Sequence, residues 1–415
     1  MKRVLMVAYH FPPLAGSSGI QRTLRFVQQL PELGWQPLVL TVHPCAYERT
    51  SHDLQDEVPS QTIVRRAFAL DAARHLSVRG RYLGATARPD RWASWKIDGV
   101  RQGMRLVREF RPDAIWSTYP IATSHMIAAE LRKRSGVPWI ADFRDPMAQP
   151  DYPSDVPTRQ RLHVIEQWIV VSAEASIFTA PNAVHACRLR HPDVADRVHL
   201  IENGYDEESF AAAATGNDAS SAPPLKPGAI TLLHSGIVYP CERDPTQLFE
   251  ALGQLKRSGA IQPGRFTLRF RAPVHDELLT RLARDNDVLA LVEILPAVPY
   301  REALQEMLRA DALLVMQGQS CNDQIPAKIY EYLRAGRPAI CLSHPDGDTI
   351  GVMHKAGMYA QARLDSVQEI ATRLPTFLDA VRRGTAQQPD SAYVSGASRR
   401  SRTQALAGLL DRLHA

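Results

Sequence analysis

The residues best suited to chemistry lie in one short run, Asn322-Asp323-Gln324-Ile325-Pro326-Ala327-Lys328-Ile329-Tyr330-Glu331. A loop here leads into a helix that begins near Pro326, so Asp323 precedes the helix and Glu331 lies within it. Main-chain N–H groups from Ile325 to Lys328 would face an anion at such a helix start, and Lys328 would add a positive charge. Carboxylates on either side are suited to accept hydrogen bonds from the vicinal hydroxyls of a ribose and a hexose. A second group is His234-Ser235-Gly236 followed by Arg243, a glycine-bearing turn and then a cation. A third is the glycine-bearing turn Tyr9-His10-Phe11-Pro12-Pro13-Leu14-Ala15-Gly16-Ser17-Ser18-Gly19, where small residues let backbone approach a ligand. Such a turn is on its own only weak evidence of a site.

These segments need a scaffold that brings strand ends together, and the hydrophobic pattern supplies one. In the first half, Val4–Ala8, Pro37–Thr41, Ala114–Ser117 and Val137–Ala141 read as strands, with helices over Gln21–Leu33 and Ser124–Ser135. In the second half, strands at Ile230–His234, Phe266–Arg271, Leu289–Ile294, Ala312–Met316 and Pro338–Leu342 alternate with helices at Thr246–Lys256, Asp276–Arg284, Tyr300–Arg309 and Ala327–Ala335. Strand, helix, strand at this spacing predicts parallel pairing in doubly wound α/β sheets. In such sheets, ligands bind beyond the carboxyl ends of the strands. The small, polar stretch Ala211–Gly228 reads as a linker. The expected organisation is therefore a domain over 1–210, a linker over 211–228, a second domain over 229–392, and a terminal helical segment over 393–415 that packs toward the first domain.

Length and composition agree with two domains. The 415 residues are 45% hydrophobic and 22% charged, and no stretch has the run of apolar residues that spans a bilayer. The opening Met1-Lys2-Arg3 and the short apolar run after it superficially suggest a signal peptide, but His10 and Pro12-Pro13 follow at once and favour a buried first strand. Five scattered cysteines show no metal-ligand spacing, which fits reduced thiols in a cytoplasmic protein.

The net charge of +5 is unevenly distributed. From Arg65 to Arg111 there are twelve basic residues against four acidic ones, a local excess larger than that of the whole chain. This segment also holds Arg91, Trp92 and Trp95, which suit a peripheral contact with anionic lipid. A solvated face with two core tryptophans fits equally well. No helix-turn-helix, zinc-finger or RNP pattern accompanies the charge, so nucleic acid is not expected as a partner.

Five ordered segments resemble glycosyltransferase family 4. The run PAKIYEYLRAGRP from Pro326 to Pro338 is similar to the family's donor-site signature, with Glu331 at the position of the ribose-binding glutamate. Asp323 stands where family members usually have Glu. The opening VLMVAYHFPPLAGSSGIQR resembles the amino-terminal strand and glycine loop, although Gly16-Ser17-Ser18-Gly19 replaces the commoner Gly-Gly pair. The element Asp142-Phe143-Arg144-Asp145-Pro146, the turn Asn203-Gly204-Tyr205-Asp206, and His234-Ser235-Gly236 with Arg243 are similar to the others.

The resemblance implies a GT-B fold, two Rossmann-like doubly wound parallel-sheet domains facing across a cleft. It implies a retaining transfer of a hexose or N-acetylhexosamine from a nucleotide diphosphate sugar, with UDP favoured over GDP, to a saccharide or polyprenyl-diphosphate-linked acceptor. No metal or other cofactor is expected, the nucleotide-sugar being a co-substrate. Donor-binding residues would be Gly16, Gly19, Gly236, Arg243, Lys328, Ile325, Pro326 and Glu331. Catalytic candidates are Asp145, His125, Arg144 and Asp323. His125 reads either as a sugar or acceptor contact or as a helix-surface histidine. Asp145 reads either as an acceptor-orienting group or as a cap or partner of Arg144. A cytoplasmic enzyme is expected, with a peripheral seat on the inner face of the membrane left open. Two alternatives are a nucleotide-sugar epimerase of the same fold and a catalytically silent sugar-nucleotide-binding partner.

Overall fold

A computed structural model describes residues 1–16, 19–149, 152–214 and 223–413. Ser17 and Ser18 of the glycine loop, and residues 215–222 of the expected linker, lie outside the described residues. The chain divides into two compact units. One is Met1–Glu202 together with Arg399–Ala415, and the other is Asn203–Ser398.

The first unit holds a seven-stranded sheet of β1 (Lys2–Val7), β2 (Trp35–Val42), β3 (Ile63–Ala67), β4 (Ala114–Thr118), β5 (Trp139–Arg144), β6 (Ala175–Phe178) and β7 (Val198–Leu200). Their order is β3-β2-β1-β4-β5-β6-β7, and every pairing is parallel. The central strand β1 is apolar from Val4 to Val7 and fully buried there, as expected for a strand covered by helices on both faces. The helix Trp95–Phe110 packs against the helix Ala122–Ser135 through two glycines. A Cβ at Gly99 would sit 2.5 Å from Ile127 Cδ1, and one at Gly103 would sit 2.6 Å from Leu131 Cδ1. This close approach turns Trp95 inward, where it is fully buried. The terminal helix Arg399–Arg412 adds Leu406, Leu409 and Leu410 to the core of this unit, beside Leu24, Phe26 and Trp116.

The second unit holds β8 (Ile230–Ser235), β9 (Phe266–Arg271), β10 (Val292–Leu295), β11 (Ala312–Gln317), β12 (Ala339–Ser343) and β13 (Gln361–Ala362). Their order is β10-β9-β8-β11-β12-β13, again parallel throughout. Leu232, Phe249, Phe270, Leu314, Ile340 and Phe377 meet in its core. The helix Glu207–Ala214 packs on the helix Tyr300–Arg309, where Gln305 Nε2 donates to Ala213 O at 3.1 Å. The division therefore falls between Glu202 and Asn203, and the stretch marked by linker composition lies inside the second unit.

In both sheets the strand order reverses beside the first strand, between β1 and β4 and between β8 and β11. The loops leaving the carboxyl ends of these two pairs are where ligands of such sheets bind.

Candidate functional site

In the second unit, β8 ends at Ser235 and the chain turns at Gly236 with φ 108°. That angle suits only glycine, and a Cβ there would lie 3.1 Å from the Lys328 ammonium. Two residues earlier, His234 is fully buried. Its Nδ1 lies 3.0 Å from Leu314 O and its Nε2 lies 3.0 Å from Lys328 Nζ. An ammonium can only donate, so Nε2 accepts and Nδ1 carries the proton given to the carbonyl. The imidazole is thus neutral. Burial, and then the Lys328 charge, hold it well below the ordinary histidine range.

Lys328 opens the helix Lys328–Ala335. Burial, and then the nearby Arg243 guanidinium, push its ammonium well below the usual lysine range, while Glu331 opposes the shift. Arg243 is 9% exposed, donates from Nε to Gln317 Oε1 at 3.1 Å and stacks over Tyr239 at 5.3 Å. Among the described residues, no carboxylate comes within ion-pair distance of Lys328 or Arg243. Two cations held close together with no ion-paired carboxylate repel each other, and an anion placed between them relieves that cost.

The surrounding loop is pinned. Asn322 O accepts from Asp348 N at 2.8 Å, and Gln324 O accepts from Thr349 Oγ1 at 3.1 Å. Ile325 and Pro326 are buried beneath the helix start, and the Ile329 and Tyr330 N–H groups turn back to Pro326 and Ala327. Glu331 accepts a 2.7 Å hydrogen bond from Tyr300 OH, which sets the orientation of its carboxylate. Asp323 stands beside Cys321, where burial and then the Glu242 charge, with Asp323 adding less, push the thiol up to about 11. A cavity of about 210 Å³ opens next to the Arg243–Gln317 contact, lined by Gln317, Gly318, Glu242, Asp244 and His344 among others.

The corresponding ends of the first sheet are arranged differently. Arg22 Nε donates to Asp142 Oδ2 at 2.8 Å, with side-chain exposures of 3% and 0%. The same guanidinium also donates to the carbonyls of Ile201 and Glu202. A register shift between Asp142 and Arg144 interrupts the pairing of β5 with β6, and Arg144 takes φ 62°. This bulge re-aims the side chain, whose guanidinium reaches Tyr119 O at 3.4 Å. A Cβ on Gly19 would lie 2.7 Å from both Arg144 Nη1 and His10 Nδ1, so only glycine fits between them. Burial and then the Arg144 charge push His10 down to about 3. Burial lowers Arg144 itself, and Asp145 is the largest charge opposing that shift.

Residues 18–204 match the sequence family described as a glycosyl transferase 4-like domain. The matched span carries a glycosyl transferase 4-like domain, and the chain is a glycosyltransferase. Its fold is GT-B, as in solved structures similar to it. HepE from Anabaena, solved with UDP, superposes with TM-score 0.68 at 13% identity, over 99% of this chain and 100% of that one. Sucrose-phosphate synthase from Thermosynechococcus elongatus superposes with TM-score 0.65 at 14% identity, over 100% and 98%. The α,α-trehalose 6-phosphate synthase of Burkholderia multivorans superposes with TM-score 0.65 at 14% identity, over 100% and 97%. No curated protein matches the sequence.

The glycosyltransferase brings Gly236, Arg243, Lys328 and Glu331 to one place in its second unit, and Gly19, Arg144 and Asp145 to one place in its first. Asp145 lies beside Arg144 as its charge partner. Gly16 takes φ 78° with open space where a Cβ would point. The Gly236 N–H donates to Arg271 O at 2.8 Å, so this turn contributes room and conformation rather than a donor for phosphate.

One expectation is corrected, and one left open between two readings is narrowed. His125 is fully buried, with Nδ1 2.7 Å from Ser117 Oγ and its ring packed at 5.1 Å on Phe143. Burial pushes it down to about 3. It is a neutral core residue, neither a sugar contact nor a helix-surface histidine. Trp95 is likewise core. Arg91 and Trp92 are engaged within the unit, Arg91 with Asp71 at 2.5 Å and Glu48 at 2.7 Å, and Trp92 Nε1 with Ala46 O at 3.1 Å. Arg91, Trp92 and Trp95 therefore form no lipid-facing stripe.

Sequence reasoning missed His10, Arg22, Tyr300 and Gln317, and quoted Asp142 and His234 without assigning them a role. The usable signal was polarity in the wrong place, since Asp142 and His234 stand in otherwise apolar strands and so need buried partners. Tyr300 and Gln317 carry no such mark, being 31 and 74 positions from the groups they orient.

Proposed function

We propose that this glycosyltransferase moves a hexose or N-acetylhexosamine from UDP-sugar to a hydroxyl of a saccharide or lipid-linked acceptor, with retention of configuration. The observation that carries the reading is the Lys328–Arg243 pair beside Gly236, two cations with no carboxylate at ion-pair distance among the described residues. When the C1–O bond of the donor breaks, its electron pair stays on the leaving β-phosphate oxygen. Lys328 and Arg243 stabilise that charge in a water-poor site, where such stabilisation is worth most. The chain's own cations thus take the part that a metal plays in other transferases. Glu331, oriented by Tyr300, accepts from the ribose, and Asp323 from the donor sugar. The acceptor hydroxyl attacks from the face that phosphate leaves, and a phosphate oxygen takes its proton. The bound UDP of HepE supports a uridine donor here, and the unpaired thiols suit a cytoplasmic setting.

The test is a thermal shift with UDP. Wild-type protein shows a rise in melting temperature, because a ligand bound only by the native state stabilises it. Arg243→Ala and Lys328→Met lose the rise and lower transfer by roughly 100-fold or more. An undiminished rise in both variants would refute the assignment. Product analysis with donor alone separates transfer from epimerisation, since an epimerase changes the sugar without any acceptor.

A further inference from the structure

Within the basic segment, residues 72–89 contain four arginines, Arg74, Arg79, Arg81 and Arg88, and no acidic residue. Val78 and Arg81 exchange main-chain hydrogen bonds of 2.8 and 3.1 Å, which closes a tight turn with Arg79 at φ 53° and Gly80 at φ 76°. The turn carries bulky apolar side chains outward. Val78 is 75% exposed, Leu83 77%, and Leu76 and Tyr82 41% each. Arg79 and Arg81 are exposed and enter no ion pair among the described residues. The base of the turn is fixed, because Ala72 N donates to Arg91 O at 2.8 Å and the Arg74 guanidinium bonds Tyr47 O.

Single exposed apolar residues are ordinary, but four within eight positions on one ordered turn are not. We propose that the turn Leu76–Leu83 is a membrane-docking element, with Val78, Tyr82 and Leu83 entering the headgroup boundary of an anionic bilayer while Arg79 and Arg81 bind its phosphates. One-signed charge favours lipid over protein, because a protein surface offers both signs whereas an anionic leaflet offers one. Alternation of apolar and cationic residues, with a tyrosine among them, matches the layering of the interface itself. The element is independent of the donor site, so its failure leaves the transferase reading intact.

Co-sedimentation with vesicles tests it, using phosphatidylcholine alone and phosphatidylcholine mixed with phosphatidylglycerol. The wild-type protein pellets with the mixed vesicles and remains in solution with the neutral ones. Val78→Ser with Leu83→Ser, and separately Arg79→Glu with Arg81→Glu, each weaken pelleting by about tenfold or more. Both variants keep the wild-type UDP thermal shift, which shows that they are folded. Absence of pelleting by the wild type, or unchanged pelleting by both variants, overturns the proposal. Loss in the arginine variant alone, with heparin competing for the wild type, overturns it in favour of a general polyanion site.

Discussion

The two sheets share one topology and differ in how charge is treated at the point where their strand order reverses. In the first unit, the buried Arg22 is met by Asp142 at 2.8 Å and by two carbonyls, and Arg144 has Asp145 as a charge neighbour. In the second unit, Lys328 rests on a neutral histidine and feels the Arg243 charge, with no carboxylate at ion-pair distance among the described residues. In the first arrangement the Arg22 charge is met by a carboxylate, although Asp142 Oδ1 and Arg144 Nε are left without hydrogen-bond partners among the described residues. The second leaves a positive potential that an incoming anion completes, which is why the donor diphosphate is assigned there. Equal folds thus do not imply equal sites, and it is local charge balance that separates scaffold from binding pocket.

The sharpest way to break this comparison is to remove the buried Arg22–Asp142 ion pair. Asp142→Ala leaves the Arg22 guanidinium buried without its partner and should cost about 3–5 kcal/mol of stability in urea unfolding. The UDP affinity of the still-folded protein should remain at the wild-type level. A large loss of affinity with little loss of stability would mean that the roles of the two clusters are reversed.

Acidification acts next. His125 falls to about 3 and His10 to about 3 in the folded state, below the unfolded value of about 6.5. Their stabilising contribution is complete above about pH 6.5 and is lost as pH falls toward 3. The expected slope is about 1.4 kcal/mol per pH unit for each histidine in that window. Melting temperature followed from pH 7 downward should therefore fall, and His125→Phe, which fills the same space against Phe143, should flatten the curve. A curve as steep in the variant as in the wild type would mean that His125 is not held neutral.

The smallest effect sharpens the second site. Tyr300→Phe removes the hydrogen bond that orients Glu331 and should weaken UDP binding by about 1 kcal/mol, several-fold in Kd by calorimetry. Unchanged affinity would show that the tyrosine does not position the glutamate.

Much of the architecture is legible from periodicity alone. The strand Phe266–Arg271 and the helix Tyr300–Arg309 run as their patterns predict, because buried strands and amphipathic helices obey fixed repeats. Reading fails where charge masks the repeat. The helix Trp95–Phe110 lies inside the basic segment, and its inward face depends on Gly99 and Gly103, whose role exists only opposite Ile127 and Leu131. The edge strand Ile63–Ala67, with two arginines among five residues, was hidden for the same reason.

The sequence by itself determined the class of fold and much of the order of its elements, and it singled out Gly236, Arg243, Lys328 and Glu331, which the structure gathers in the second unit, since short-range pattern and residue type carry that information. Only the tertiary structure decided which charges are neutralised and which are left facing each other. It made His125 and Trp95 core, left Leu76, Val78, Tyr82 and Leu83 exposed on one turn, and set His234 beneath Lys328 across 94 positions of chain. The physical reason is that burial and partnership set the cost of a charge, and both depend on residues that meet only after the chain has folded.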